Sequence, residues 1–457
     1  MSEIDYSKYI RREGAEQPAE QEDVAVRPDM VGDDVTIDEA AAMAEARDSG
    51  LIATLSRLFG GDKILWIIII ALMAISVLVV YSSTAKMAYM PSSSNSTSEF
   101  LRNQLLLLVG SALFMVGMHR IDSHWFRRAA YIVFIIALGL SLAVHFVGTS
   151  TNGAARWINI GGFQFQPSEM LKVALVMYLA RVLADRQSKI QTLLIVPSLK
   201  FWTWFKSEKQ RRIWREGGWP IFFPIVASCL VIFPSHTSSA VILFALSIVM
   251  LFIGRVTWVE ISRVMLWAVV GVALVALMGL GRSHTAGGRI DTWGSVWTED
   301  RTKVPVQDLS DTERSMIAIN NGGILGRGAG QSAVRVEMTH PESDYAYAFF
   351  VEEYGFILSM ILVALYVWIF FRAIEIFDKC PKRFSALLAL GMALLITFQA
   401  LLHIMVAVNL FPETGQNLPM ISRGGTSQIM ISLALGAILS VSRQTEDNSF
   451  DNDRFIL

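Results

Sequence analysis

Charged residues and cysteines are scarce in this chain. Only 17% of its 457 residues are charged and 53% are hydrophobic, whereas soluble domains usually carry about 25% charged residues. The formal net charge of −1 excludes a strongly basic nucleic-acid-binding protein. The two cysteines, Cys229 and Cys380, are expected at different depths of the fold, which excludes a disulfide framework. The seven histidines show no metal-ligand spacing, so no metalloenzyme is expected.

Long apolar runs dominate the sequence instead. The mean hydropathy is +0.45, and a membrane-spanning helix needs about 20 predominantly apolar residues. The sequence therefore predicts an all-α integral membrane protein with about ten transmembrane helices. The predicted spans lie near residues 63–83, 100–118, 125–147, 167–184, 219–234, 238–255, 258–281, 345–372, 384–410 and 424–442.

Basic residues in short loops predict the orientation of these spans. They flank the loops near residues 119–128, 185–217 and 372–383. Ten spans place these loops on one side of the membrane together with both termini, and we expect that side to be cytoplasmic. The long loop 282–344, which precedes helix 8, is then expected on the outer side.

The chain is predicted to have three parts. Residues 1–62 are expected to form an acidic, disordered cytoplasmic tail that ends in a juxtamembrane amphipathic stretch. Residues 63–442 form the ten-helix membrane domain, and residues 443–457 form a second cytoplasmic tail. The sequence shows no matching halves, which argues against a transporter built from inverted repeats.

Ionisable residues beside the spans are functional candidates, because burying them in a membrane is costly. Glu169 and Lys172 are three residues apart and share a helix face, with Arg156 shortly before them. They can form an ion pair that fixes helix packing, or they can bind an anionic headgroup. His403 is a lone histidine on an apolar helix and is expected to be a packed, hydrogen-bonded residue.

Asp344 is a further candidate, because it stands where the outer loop enters a span. Asp is a good N-cap residue, so it can simply cap the helix. It can also be a catalytic carboxylate at the membrane surface. Downstream, two prolines and three glycines interrupt apolar sequence between Phe411 and Ser427. Such irregular backbone is tolerated at membrane depth only when it is buried in protein or lines a cavity.

Several motifs resemble the SEDS family (shape, elongation, division and sporulation). The motifs are Val80–Ser83, Asn152–Ile158, Gln166–Lys172, Gly322–Gly328, Ser343–Tyr345, Glu352–Gly355 and Pro412–Ser427. They occur in the family's order over residues 63–442. One departure is the turn after the predicted fifth span, which reads Phe233-Pro-Ser-His236 and lacks the acidic residue that the family often has there.

The resemblance implies a peptidoglycan glycosyltransferase that polymerises lipid II by inverting glycosyl transfer during septal cell-wall synthesis. The cell-division branch of the family is expected. The alternatives are the elongation branch, a lipid II flippase and a non-catalytic scaffold. Implied partners are a class B penicillin-binding protein transpeptidase, other divisome membrane proteins and membrane lipids. The expected location is the bacterial inner membrane at the septum, with the active site on the outer face.

The resemblance also implies roles for individual residues. Asp344 aligns with the family's essential aspartate and is expected to act as general base on the acceptor hydroxyl. Aromatic neighbours are expected to raise its pKa, and undecaprenyl pyrophosphate is the expected leaving group. No dedicated cofactor is expected, although Mg or Mn can accompany the pyrophosphate. The expected substrate-binding residues are Arg156, Glu169, Lys172, Arg289, Ser422 and Thr426.

Overall fold

The computed structural model describes residues 59–89, 97–151, 154–161, 163–188, 190, 208–277, 283–298, 309–333 and 343–454. The helices are α1 (Lys63–Tyr89), α2 (Thr97–Arg120), α3 (Ser123–Val147), α4 (Pro167–Asp185), α5 (Glu208–Ile213), α6 (Trp219–Ile232), α7 (Thr237–Ile253), α8 (Trp258–Leu277), α9 (Ser283–Thr298), α10 (Asp311–Gly322), α11 (Ala346–Lys379), α12 (Arg383–Ala407) and α13 (Gly425–Arg454). A π-helical turn, Trp214–Gly218, joins α5 to α6.

A helix lies at the position of each of the ten predicted spans. Six segments among the described residues are long and apolar enough to cross a membrane: Lys63–Ser82, Ser123–Val147, Trp214–Ile232, Ala346–Lys379, Arg383–Ala407 and Gly425–Asp447. Helix α7 is apolar but shorter. The chain is therefore a predominantly helical membrane protein, and the count of ten spans stays a prediction.

The all-α membrane architecture is confirmed in outline, and a small antiparallel sheet that the sequence did not predict is added to it. Its strands are β1 (Thr149–Thr151), β2 (Ala154–Ile160) and β3 (Phe163–Phe165), in the order β1-β2-β3. A two-residue turn joins β2 to β3, and its first residue, Gly161, has φ +58°. Hairpin turns of this length favour glycine because they need a positive φ. The sheet fills most of the loop 148–166 that the sequence left unassigned.

Helices α12 and α13 form the centre of the bundle. In the most apolar 18-residue stretch of each helix, 72% of α12 and 78% of α13 is buried inside the protein. The corresponding share is 28% for α3 and for α11. Helix α12 packs against α4, α11 and α13. It also contacts α3, α7 and α10, so groups at both of its ends are held by a rigid framework.

The residues just before α1 also belong to the packed structure. Asp62 is buried, and its Oδ1 accepts hydrogen bonds from the amides of Ile64 and Leu65 at 2.9 and 3.1 Å, which caps α1. Its Oδ2 pairs with Arg372 at 2.6 Å. At the other end of the chain, α13 continues to Arg454, beyond the predicted end at residue 442. The predicted amphipathic stretch ahead of Phe59 lies outside the described residues.

Candidate active site

A cavity of about 560 Å³ opens at one end of the bundle. It lies where α6 turns into α7, beside α9 and the end of α12. The segment 411–414 closes its rim. The side chains of Arg156, His236, Arg289 and Glu413 line it together with apolar residues of α7 and α12. The cavity therefore has a charged rim and an apolar wall.

Two arginines from separate elements point into this cavity. Arg156 on β2 donates from Nε to the carbonyl of Ser235 at 2.9 Å. Arg289 on α9 donates to the carbonyl of Glu413 at 3.4 Å, and its Nε lies 3.9 Å from a Glu413 carboxylate oxygen. Both guanidinium groups are half-buried. They provide planar hydrogen-bond donors suited to phosphate or carboxylate oxygens.

His236 is a buried histidine on the wall of the cavity. It lies in the turn between α6 and α7 and is buried. Its pKa is lowered to about 3, chiefly because burial disfavours the charged ring. The positive charges of Arg156, Lys172 and Arg289 act in the same direction. His236 is therefore neutral near pH 7, and the positive groups that line the cavity are Arg156 and Arg289.

Lys172 lies beneath the cavity and does not line it. Its side chain is 1% exposed, and Nζ pairs with Glu169 Oε1 at 2.8 Å. Nζ also donates to the side-chain oxygens of Gln399 at 3.3 Å and Gln416 at 3.2 Å. These contacts favour the ion-pair interpretation of Glu169 and Lys172, since the buried ammonium is saturated by protein oxygens.

Gln416 connects this buried pair to the cavity. Its Nε2 donates to Ser239 Oγ at 2.9 Å and lies 3.3 Å from His236 Nδ1. Its backbone carbonyl accepts from His403 Nδ1 at 2.7 Å, and His403 Nε2 accepts from the amide of Tyr347 at 3.4 Å. His403 is thus confirmed as a packed, hydrogen-bonded residue.

Asp344 lies in the turn Ser343–Tyr345 that leads into α11. Tyr345 is the N-cap of α11 and makes no side-chain cap hydrogen bond, so Asp344 occupies the position just before the cap. Asp344 is half-buried, and its Oδ1 accepts from Ser343 Oγ at 3.2 Å. The backbone of the turn is fixed from the other side, because Ser422 Oγ donates to the carbonyl of Ser343 at 2.8 Å.

The Tyr345 phenol connects this turn electrostatically to the cavity. Its hydroxyl is hydrogen-bonded to Thr312 Oγ1 at 2.9 Å. Burial raises the pKa of Tyr345, and the carboxylates of Glu413, Asp311 and Asp344 raise it further. Hydrogen bonds connect the first turn of α11 to the cavity, through the Tyr347 amide, His403 and Gln416 to the cavity-lining His236.

Ser422 and Thr426 are buried and bind backbone groups. Besides its bond to Ser343, Ser422 Oγ accepts from the amide of Leu418 at 2.9 Å. Thr426 Oγ1 accepts from the amide of Gln166 at 3.2 Å and donates to the carbonyl of Gln164 at 2.8 Å. Both hydroxyls thus hold the segments around the cavity in place.

A break in α11 was not predicted from the sequence. Gly355 has φ 81° and ψ 176°, which interrupts the helix two turns after the Asp344 turn. The glycine loop, defined here as residues 322–330, fills the gap: Arg327 and Gly328 donate backbone amides to the carbonyls of Glu352 and Glu353 at 3.0 and 2.9 Å. Backbone groups that the break would leave unpaired are satisfied in this way.

The carboxylates of Glu352 and Glu353 are engaged in the same region. Glu353 Oε1 accepts from Ser82 Oγ at 2.6 Å and from the amide of Gly330 at 2.9 Å. Glu352 accepts from Ser332 Oγ and from the amide of Ala333. Both side chains are buried, so these two carboxylates stabilise the junction of the glycine loop with α11.

Sequence reasoning missed several neutral groups of the site. Gln399, Gln416 and the carbonyl of Ser235 had no charge to mark them, although Gln416 lies in the irregular segment between Phe411 and Ser427.

Within the described residues, no group of three or more His, Cys, Asp or Glu side chains could hold a metal ion.

The family model described as "Cell cycle protein", which covers FtsW, RodA and SpoVE, matches residues 62–447. The chain belongs to this family. The SEDS resemblance is therefore confirmed.

Individual relatives of the FtsW/RodA/SpoVE family align over most of their length. A probable peptidoglycan glycosyltransferase FtsW from Geobacter sp. (strain M18) is 28% identical over 391 residues, which cover 84% of this chain and 98% of that protein. Stage V sporulation protein E of Bacillus subtilis (strain 168) is 27% identical over 386 residues, covering 84% and 97%.

Solved structures of the same fold are more distant in sequence. A chain of a peptidoglycan synthase complex that coordinates polymerization and crosslinking has a TM-score of 0.61 at 18% identity, covering 84% of this chain and 98% of its own length. The rod shape determining protein RodA of Thermus thermophilus has a TM-score of 0.54 at 20% identity, covering 84% and 97%. These likenesses support the family's helical membrane fold.

Proposed function

We propose that this protein is a peptidoglycan glycosyltransferase that polymerises lipid II during septal cell-wall synthesis. The observation that carries the proposal is the charged cavity, which hydrogen bonds through His403 and Gln416 connect to the start of α11, in a chain whose relatives are named as peptidoglycan glycosyltransferases. Lipid II joins a disaccharide-peptide to a polyprenyl chain through pyrophosphate. A substrate of this kind needs an anion site next to an apolar surface, which the cavity offers.

The leaving pyrophosphate is proposed to bind near Arg156 and Arg289. Negative charge builds up on this group as the donor's C1–O bond breaks, and fixed cations at that point stabilise the transition state. Both arginines line the cavity on different elements, so they can approach the pyrophosphate from two directions. Lys172 lies beneath the cavity and adds to the positive electrostatic potential there. Its hydrogen bond to Gln416 also fixes the segment that forms the rim.

Asp344 is proposed as the general base. The acceptor's 4-hydroxyl is a weak nucleophile at neutral pH, and a positioned carboxylate that takes its proton accelerates attack by about 10²–10⁴-fold. The bond between this oxygen and the donor C1 forms as the bond to pyrophosphate breaks. With the base opposite the leaving group, an α-linked donor gives a β-linked product.

Roles for a cation and for partners are also proposals. Magnesium or manganese would be held mainly by pyrophosphate oxygens, because hard cations of this kind are often bound through substrate phosphates. A class B penicillin-binding protein transpeptidase and other divisome membrane proteins are the proposed partners. The proposed location is the inner membrane at the septum, with the cavity on its outer face. A likeness to a chain of a peptidoglycan synthase complex supports a partnered enzyme.

A lipid II flippase is the main alternative. A transporter needs polar groups along a path across the membrane. Here the charged groups of the site gather at one end of the bundle: Glu169 and Lys172 lie in the first turns of α4, and the cavity lies at the start of α7 and the end of α12. This distribution favours chemistry at one membrane surface.

Purified full-length protein supplied with lipid II in detergent tests the proposal. Detergent removes sidedness, so a flippase or a scaffold would leave lipid II unchanged, whereas a polymerase makes glycan strands that are resolved on a gel. We expect strands from the wild-type protein. Unchanged lipid II with well-folded protein, with and without a partner transpeptidase, would reject the proposal.

The septal assignment needs a separate measurement. A fluorescent fusion of the full chain is expected at midcell in dividing cells. Localisation along the side wall throughout the cell cycle would favour the elongation role instead.

A further inference from the structure

A second charged cavity lies at the opposite end of the bundle. It measures about 390 Å³ and is found where α3 and α12 begin and α4 ends. Helix α12 runs from this cavity to the candidate active site over 25 residues, or about 38 Å at 1.5 Å per residue. The two cavities are therefore separate sites, and the proposed glycosyl transfer makes no use of the second one.

The lining of this cavity is predominantly basic. It includes His124, Arg127, Lys382 and Arg383 against one carboxylate, Asp185. The carboxylate is already engaged, because Arg127 Nη2 lies 2.5 Å from Asp185 Oδ1. In the part of the chain that the structure describes, neither Lys382 nor Arg383 forms an ion pair. Two adjacent positive charges thus face the cavity without compensation from the protein.

Both cations lie at the N-terminus of α12, where a positive charge is electrostatically unfavourable. Lys382 is the N-cap residue and makes no side-chain cap hydrogen bond, and the first turn of α12 has no acidic residue. The positive end of the helix dipole disfavours cations there, and the first amides of the helix are left as hydrogen-bond donors. A bound anion would offset both effects at once.

Aromatic residues indicate the depth of the cavity. Trp125 is 55% exposed, and the guanidinium of Arg128 lies 5.1 Å from the centre of its ring. Tryptophan and arginine are enriched where membrane proteins meet the headgroup layer. Phe384 is buried and supplies an apolar part of the cavity wall. The cavity thus combines two cations that form no ion pair in the described residues with a neighbouring exposed tryptophan, a residue type that is enriched at membrane interfaces.

We propose that this cavity binds the phosphate group of an anionic membrane phospholipid, with Lys382 and Arg383 as its principal contacts. Basic pockets between helices are a common binding site for such headgroups, and the surrounding bilayer supplies the lipid at high local concentration. The acyl chains remain in the bilayer beside α3, whose apolar face is largely exposed. A soluble phosphate compound would share the phosphate chemistry and not the acyl chains.

Lipid binding to the purified full-length protein tests this site. Native mass spectrometry measures the retention of phosphatidylglycerol and of phosphatidylcholine by the wild type, by Lys382→Gln/Arg383→Gln, and by a control pair. The control, Lys379→Gln/Arg215→Gln, removes the same charge from exposed residues that do not line the cavity. We expect the wild type and the control to prefer phosphatidylglycerol, and the cavity variant to bind it about tenfold more weakly.

Three results would overturn the proposal. They are equal retention of phosphatidylglycerol by the cavity variant and the control, equal retention of the two lipids by the wild type, and displacement of the lipid by millimolar inorganic phosphate. The last result would assign the site to a soluble phosphate compound. If the double variant does not fold, Lys382→Gln and Arg383→Gln are measured singly, each with an expected loss of about threefold, and no loss in either would also reject the site.

Discussion

The Asp344 carboxylate is held by its neighbours on both sides of the turn. Ser343 donates to Oδ1 from within the turn, and Ser422 fixes the carbonyl of Ser343 from the segment that follows the cavity rim. The N-cap position of α11 belongs to Tyr345, so Asp344 lies one residue before the helix cap. A half-buried carboxylate in this setting is positioned and still able to accept a proton from a substrate hydroxyl.

Replacing Arg289 should weaken substrate binding more than folding. Its ion pair with Glu413 is long and partly exposed, and exposed pairs contribute about 0–1 kcal/mol to stability. We expect Arg289→Ala to raise the KM for lipid II about tenfold, because a charge-assisted contact to the pyrophosphate contributes roughly 1.5–3 kcal/mol, while the thermal midpoint changes little. The control Arg212→Ala removes another exposed arginine with a Glu partner, Glu216 at 2.9 Å. Equal kinetics for both variants would remove Arg289 from the site.

Replacing Lys172, in contrast to Arg289, should weaken folding more than substrate binding. Lys172→Met leaves Glu169 buried without its cation, and breaking a buried ion pair costs about 3–5 kcal/mol. The double variant Glu169→Gln/Lys172→Met removes both charges and should recover much of this loss. Thermal unfolding in detergent compares the two proteins. If the double variant is no more stable than Lys172→Met, the loss of stability does not come from the unpaired charge of Glu169.

At the scale of whole elements, α11 is the unusual one. Its first two turns after Asp344 are separated from the rest of the helix by the break at Gly355. The glycine loop binds the backbone exposed by that break, and Glu353 attaches the loop to Ser82 of α1. The segment that carries Asp344 is thus braced by α1 and the glycine loop as well as by α12.

Gly355→Ala tests this brace. A φ of 81° with ψ 176° is available almost only to glycine, and an added Cβ would lie 2.4 Å from the amide nitrogen of Gly326. We expect a loss of about 3 kcal/mol or more in stability, from backbone strain together with the clash. Gly294→Ala is the matched control, since it lies in helix α9 with no heavy atom within 4 Å of its new Cβ. Equal thermal midpoints for the two variants would contradict the geometry of the break.

The helices could be predicted from the sequence because their signal is local. Runs of apolar residues located a helix at all ten expected positions. The sheet and the break could not be located in this way. Gly355 is non-helical because of its contact with Gly326, 29 positions earlier, and periodicity carries no information about such a pairing. The same limit applies to the site: Arg156 and Arg289 were identified by charge, whereas Gln416 became visible only through its contacts with Lys172 and Ser239.

At the scale of the whole molecule, the N-terminal tail should be dispensable for chemistry. Asp62 anchors the start of α1 to Arg372 and to Ser442, so these contacts of the helical domain need no residue before Asp62. Deletion of residues 1–50 preserves these contacts, and we expect lipid II polymerisation within a few-fold of the full chain. The contrasting variant Asp62→Ala removes the helix cap and the partner of Arg372, and should lower the thermal midpoint. Complete loss of activity in well-folded protein lacking residues 1–50 would contradict this assignment.

The most direct test of the account is glycan synthesis by Asp344→Asn. The amide keeps the shape of the side chain and can still accept the hydrogen bond from Ser343, but it cannot take the proton of the acceptor hydroxyl. We expect normal folding and a fall in polymerisation of about 10²-fold or more, measured on a gel with matched amounts of folded protein. Asp378→Asn, at the other end of α11 and exposed, should retain full activity. Near-normal strand synthesis by Asp344→Asn would contradict its role as the base.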